Sequence, residues 1–175
     1  MRRYLVLVLL MFLAAGCKKD KDPALKGTVT IDNSLYGEGP YYAMGFSFPG
    51  AKKVSTLDNP APDITLIAVT DIYGSILKLN LQTTNFKGSF YKAGQYASAS
   101  DAKLAYDNLN SATVSQWNDD ADAIEAGQIW IFRTGTEKYA KFRITATFSE
   151  ERAVWPYAEC TFEWAYQPDG TLTFP

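Results

Sequence analysis

Lys138-Tyr139-Ala140-Lys141-Phe142-Arg143-Ile144-Thr145-Ala146-Thr147-Phe148 places a small or apolar side chain at every second position. Successive side chains of a strand point to opposite faces, so this period marks a strand with one buried face. Ala140, Phe142, Ile144, Ala146 and Phe148 are expected to face inward, and Tyr139, Lys141, Arg143, Thr145 and Thr147 to face out. Ser149 to Arg152 has no apolar member and reads as a loop. Tyr157 to Tyr166 resumes the alternation, with Cys160, Phe162, Trp164 and Tyr166 inward. Upstream, Gln128 to Arg133 predicts another strand, joined through the turn Thr134 to Glu137. Downstream, Gln167-Pro168-Asp169-Gly170 is turn material, and Thr171 to Phe174 predicts a short closing strand.

The same period recurs earlier in the chain. Tyr41 to Phe48 puts Tyr42, Met44, Phe46 and Phe48 on one face, between Gly37-Glu38-Gly39-Pro40 and Pro49-Gly50. Gly27 to Ile31 reads as a weaker strand. Ile64 to Thr70 is apolar nearly throughout, as a strand covered on both faces would be. Ile76 to Thr83 alternates, with Leu77, Leu79 and Leu81 expected inward and Lys78, Asn80 and Gln82 outward. Asp71-Ile72-Tyr73-Gly74 joins these two as a hairpin. Asn85 to Ala99 lacks a clear period and predicts loop with a short strand near Phe90. Ser100 is expected to cap a helix running to about Leu109, with Ala102, Ala105 and Leu109 along one side. Asn118 to Asp122 is expected to start one more helical turn before Gly127. The resulting fold class is mostly β, an antiparallel sandwich or open barrel with one short helix.

The first residues carry a different message. Arg2 and Arg3 precede an uncharged run from Tyr4 to Ala15, too short for a membrane span of about 20 residues but suited to a secretory signal. Leu13-Ala14-Ala15-Gly16-Cys17 resembles the lipobox of bacterial lipoproteins. That resemblance implies cleavage before Cys17, acylation of Cys17, and anchoring of the chain to a membrane through several acyl chains. Lys18 to Asp22 has no apolar content and cannot pack, as befits a solvated tether. A cysteine followed by mixed Lys and Asp resembles the start of many Bacteroidota lipoproteins, some of which reach the outer face of the outer membrane. The expected organisation is a lipoprotein signal peptide at 1–16, lipid anchor and polar tether at 17–25, and one β-rich domain at 26–175. The expected address is the outer membrane, with the cell surface favoured over the periplasmic face.

Charge and residue inventory exclude several chemistries. From Pro23 onward, twelve Lys and Arg stand against seventeen Asp and Glu, a net charge of −5. Nucleic-acid binding needs clustered basic charge, so a nucleic-acid partner is not expected. The chain has no histidine, which removes the usual base for a Ser or Cys nucleophile and the commonest metal ligand. Cys160, the one cysteine besides Cys17, falls on an apolar face and reads as core. Asp119, Asp120 and Asp122 lack the spacing of a calcium loop. No nucleophile elbow, phosphate loop or zinc motif is present, and no enzyme activity is expected.

Three C-terminal segments carry a family resemblance: Gln128 to Thr134, Glu137 to Ile144, and Thr161 to Gly170. Together with the lipobox, and with Ala43 to Val54 followed by Ile64 to Ala68, they resemble the HmuY-type haem-binding lipoproteins of Bacteroidota. The resemblance implies a one-domain antiparallel β protein on the cell envelope. It also implies haem held by two axial side chains, histidines or in some relatives methionines, and an outer-membrane transporter as partner. This sequence departs from that pattern. It has no histidine, and Met44 is its only methionine beyond the signal segment. For haem, the remaining single-ligand candidates are Met44, Tyr91 and Tyr96, as thioether or phenolate. The alternative is a surface module that binds glycan or protein through loop aromatics, with Trp117, Trp155 and Tyr157 as candidates.

Overall fold

The computed structural model describes residues 23–85 and 87–174. The signal segment and Cys17 lie outside the described residues. Eleven strands are present among the described residues: β1 (Lys26–Asp32), β2 (Leu35–Tyr36), β3 (Tyr42–Ser47), β4 (Lys52–Ser55), β5 (Ile64–Thr70), β6 (Ile76–Thr83), β7 (Phe90–Gln95), β8 (Asp120–Ala121), β9 (Gln128–Arg133), β10 (Tyr139–Glu150) and β11 (Tyr157–Gln167). One helix, α1 (Ala99–Asn108), lies between β7 and β8. The first sheet has the order β1-β11-β10-β9-β7, and the second β2-β3-β5-β6-β8 with β4 also on β3. All pairings are antiparallel, and the sheets do not close into a barrel. The architecture is a sandwich.

Its core is aromatic. Phe48, just past β3, sits 5.3 Å from Phe46 and 5.3 Å from Phe132, and within 6.5 Å of Phe142, Phe162 and Trp164. Rings from the second sheet therefore mesh with rings from the first. Offset and edge-on pairs at such distances add to the area they bury. Ile31, Ile64, Leu66, Leu81, Phe90 and Ile144 complete the layer. Cys160 is fully buried among them, and burial pushes its thiol up to about 12.

The outer face of the first sheet is covered as well. Lys141 faces out from β10 as expected, yet it is only 2% exposed, because α1 lies over it. Its Nζ donates to the Tyr106 and Leu109 carbonyls at 3.0 Å each. A cation here meets the negative end of the helix, adding to the capping bond that the Tyr106 carbonyl accepts from the Leu109 N–H at 3.3 Å. Burial lowers the Lys141 pKa.

Several sequence expectations are corrected. The cap of α1 is Ser98, whose side chain accepts from the Asp101 N–H at 3.0 Å; Ser100 already lies inside the helix. Ala102 and Tyr106, four apart, form the buried stripe. Asn118 to Asp122 makes no helical turn: Asp120–Ala121 pairs with β6 instead. Asn80 faces away from the core as expected, since Leu79 and Leu81 on either side of it face in, yet that pairing buries it: its side chain donates to Asp120 and accepts from the Ala123 N–H. Leu77 is 65% exposed rather than inward, because the register on β5 shifts between Val69 and Thr70 and leaves Leu77 as an extra residue beside the hairpin turn. On β5, Ile64 and Leu66 are buried while the intervening residues are half-exposed, so that strand is covered chiefly on one face. Thr171 to Phe174 forms only a bridge between Thr173 and Ser111.

The largest correction concerns β10. Its register on β11 shifts between Ile144 and Ala146, leaving Thr145 as an extra residue. One inserted residue reverses the alternation beyond it. Ala146 and Phe148 therefore lie opposite Thr161 and Glu159, on the outer face, and both are exposed. The strand continues to Glu150 through the stretch read as a loop.

Candidate functional site at one end of the sandwich

Strand register divides the molecule into two ends. β10 runs from Tyr139 to Glu150, and Glu150 pairs with Tyr157 at the start of β11. β1 ends at Asp32 opposite Glu159, so Asn33, Ser34 and Leu35 emerge at the same end. The tip of the β5–β6 hairpin also reaches it, since the Ile76 N–H donates to Glu151 Oε1 at 3.3 Å.

Buried Asn33 shapes this end. Its Nδ2 donates to the Pro156 carbonyl at 2.9 Å, and its Oδ1 accepts from the Ala158 N–H at 2.8 Å. A side chain satisfied at both termini holds the base of the Val154-Trp155-Pro156 loop against β1. The loop consequently projects. Val154 is 95% exposed and Trp155 56% exposed, and they share a groove of about 500 Å³ with Leu35, Tyr41, Arg152 and Tyr157.

Arg152 lies 4.0 Å above the Tyr157 ring and donates to Glu150 at 2.7 Å. The cation packs on the ring face while the carboxylate holds it there. Tyr157 donates its hydroxyl proton to Glu159, which pushes the phenol up to about 12. It is therefore a hydrogen-bonded phenol at neutral pH. Around the groove, Ile72, Tyr73, Leu77 and Phe148 are also exposed. What this end can do chemically is offer apolar area with a few charges at its margin.

The other candidates are dispersed. Trp117 belongs to the opposite end: its ring stacks on Tyr139 at 6.0 Å and 20°, beneath the Arg133 guanidinium at 4.8 Å. Tyr139 and Tyr157 are separated by nearly the whole of β10, a span of about 35 Å at the usual rise per residue. Tyr91 follows the inward-facing Phe90 on β7 and so points to the outer face of the first sheet. Tyr96 folds over Gly94, where a Cβ would fall 2.7 Å from its ring. Met44 lies half-buried on β3 in the second sheet, beside Ser55 of β4. The structure thus brings Trp155 and Tyr157 together, and leaves Met44, Tyr91, Tyr96 and Trp117 apart from them. Asn33, Leu35 and Tyr41 were missed in the sequence, where only Asn33-Ser34 after a strand hinted at a turn.

Among the described residues no group of three or more His, Cys, Asp or Glu is placed to hold a metal, and no helix is long and apolar enough to cross a membrane. No family model matches the chain, and no curated protein matches it.

Proposed function

We propose that this chain is a lipid-anchored envelope protein that docks a protein partner through the apolar end of its sandwich. The carrying observation is the exposure of Trp155 and Val154 on a loop that buried Asn33 braces from below. Soluble monomers seldom leave large apolar side chains grouped in the open without an interaction to make. The aliphatic members Val154, Leu35, Ile72 and Leu77 favour a protein over a sugar, because they offer no hydrogen bond to hydroxyls. Tyr and Trp with a nearby Arg are also the side chains on which protein interfaces depend most.

Orientation supports the same reading. The segment after Cys17 enters β1 at Lys26, opposite Ala165, at the end remote from Trp155. An anchor on Cys17 therefore attaches nearest the far end and presents the aromatic groove away from the membrane. Haem remains the ligand that the HmuY-type resemblance implies, with a transporter as the matching partner. Met44, Tyr91 and Tyr96 do not converge on one position, so protein docking is the reading preferred.

A photo-crosslinking amino acid at Val154, in intact cells, tests the proposal. An adduct with a distinct protein is expected, and Trp155→Asp should abolish it. No adduct at Val154, or one unaffected by Trp155→Asp, would remove the docking role.

A further inference from the structure

At the opposite end lies a larger cleft of about 1000 Å³, between the turn after β3, the Asp58–Asp63 loop, and the Thr134–Lys138 turn. Its volume is at the upper limit of ordinary small-molecule sites. Pro49, Pro60 and Pro62 contribute to an apolar wall, and Tyr166 lines it from the first sheet. Prolines hold their backbone with little freedom left to lose, so that wall is shaped before any ligand arrives.

The polar groups facing the space are balanced in sign. Lys52 and Lys138 line it as donors, and neither has a carboxylate within salt-bridge distance among the described residues. Asp63 and Asp58 line it as acceptors, and Asp169 borders Lys138. Each acid is already positioned by a backbone N–H. Asp63 accepts from Phe48 at 2.8 Å, Asp58 from Ser55 at 3.0 Å, and Asp169 from Thr171 at 2.7 Å. Ser47 also bonds Asp63, and the Thr171 side chain also bonds Asp169; a carboxylate accepts up to about four hydrogen bonds, so each keeps spare capacity.

Two ammonium groups, a phenol and two fixed carboxylates lining the cleft cannot favour a strongly charged ligand of either sign. They suit one whose groups donate and accept together, as hydroxyls do, and which also carries a flat apolar face for the proline wall. We infer that this cleft binds a neutral oligosaccharide of two or three rings. The site is independent of the docking end, about one sandwich length away.

The test uses the full chain in detergent micelles, titrated with maltotriose, cellotriose, xylotriose and, as a charged counterpart, trigalacturonic acid. Calorimetry reads the affinity. At least one neutral trisaccharide is expected to bind at millimolar concentration or better, with the acidic one at least threefold weaker. Lys138→Ala and Tyr166→Phe should each weaken binding by roughly fivefold to tenfold, about what one hydrogen bond contributes. Leu104→Ala, on the exposed face of α1, should leave it unchanged. Any of three results would overturn the inference: no neutral binding at 10 mM-scale concentration, tighter binding of the acid, or binding indifferent to both cleft substitutions. Tyr166→Phe keeps the ring in the core, so a folded variant is secured even if Lys138→Ala disturbs its turn.

Discussion

Asp63 shows how one residue can carry a measurable pH dependence. It lies largely buried at the end of the loop between β4 and β5, where desolvation raises its pKa from 3.8 to about 6 despite hydrogen bonds from Phe48 and Ser47 that pull it down. Because the folded-state value lies above the unfolded one, the folded chain holds the extra proton between them. Stability associated with Asp63 is therefore complete below pH 4 and declines as pH rises through 6. Asp63→Asn keeps an acceptor for the Phe48 N–H and removes the charge. At pH 7.5 the variant should be more stable than wild type by about 2–3 kcal/mol, and at pH 4 the two should converge. Urea unfolding at the two pH values reads this, and an equal difference at both would show that Asp63 is not desolvated.

Elements add constraints that single residues lack. The bulge at Thr145, supported by its hydroxyl bond to the Thr161 carbonyl at 3.0 Å, determines which phenylalanines of β10 are core. Phe162→Ala should cost about 3–5 kcal/mol through lost transfer energy and a residual cavity. Phe148→Ala should cost no more than about 1 kcal/mol, because its ring only edges against Tyr157 at 6.3 Å on the surface. Similar costs for both would place Phe148 inside and erase the bulge. At α1 the capping hydroxyl is equally specific. Ser98→Ala should cost about 1 kcal/mol, while Ser100→Ala, past the cap, should cost within about 0.5 kcal/mol. Thermal unfolding of the two variants separates the sites, and a larger loss at Ser100 would shift the helix start.

For the whole molecule, the testable properties are its anchor and its ligand. Metabolic labelling with a lipid analogue should tag the chain and fail to tag Cys17→Ser; equal labelling would withdraw the lipoprotein reading. Haemin titration is expected to yield no sharp low-spin Soret band at one haem per chain, since no histidine is present and Met44, Tyr91 and Tyr96 are dispersed. A low-spin spectrum that changes in Met44→Ala, or in the Tyr91→Phe, Tyr96→Phe pair, would restore the haem site. Both experiments bear on where this sandwich works and what it carries.

Strand identity could be read directly from residue order, because inward-outward alternation is a local consequence of backbone pleating. That is why the segments around Phe142, Phe162, Phe46 and Leu81 are strands, and why these four side chains, all predicted inward, meet in the core. The hairpin at Asp71 and the helix near residue 100 were visible for the same reason, through turn and cap chemistry that spans only a few positions. Which alternating face stays inside after residue 145 was not visible, because Thr145 looks like any outward residue until its register on β11 is known. Asn33, Asn80 and Lys141 are polar by sequence and buried by partners distant in the chain: Pro156 and Ala158, Asp120 and Ala123, and the end of α1. The grouping of Trp155 with Tyr41 and Leu35, and the separation of Trp117 from them, likewise arise from strand order and sheet ends. Short-range geometry sets the period of a segment, whereas long-range pairing sets what that segment lies against.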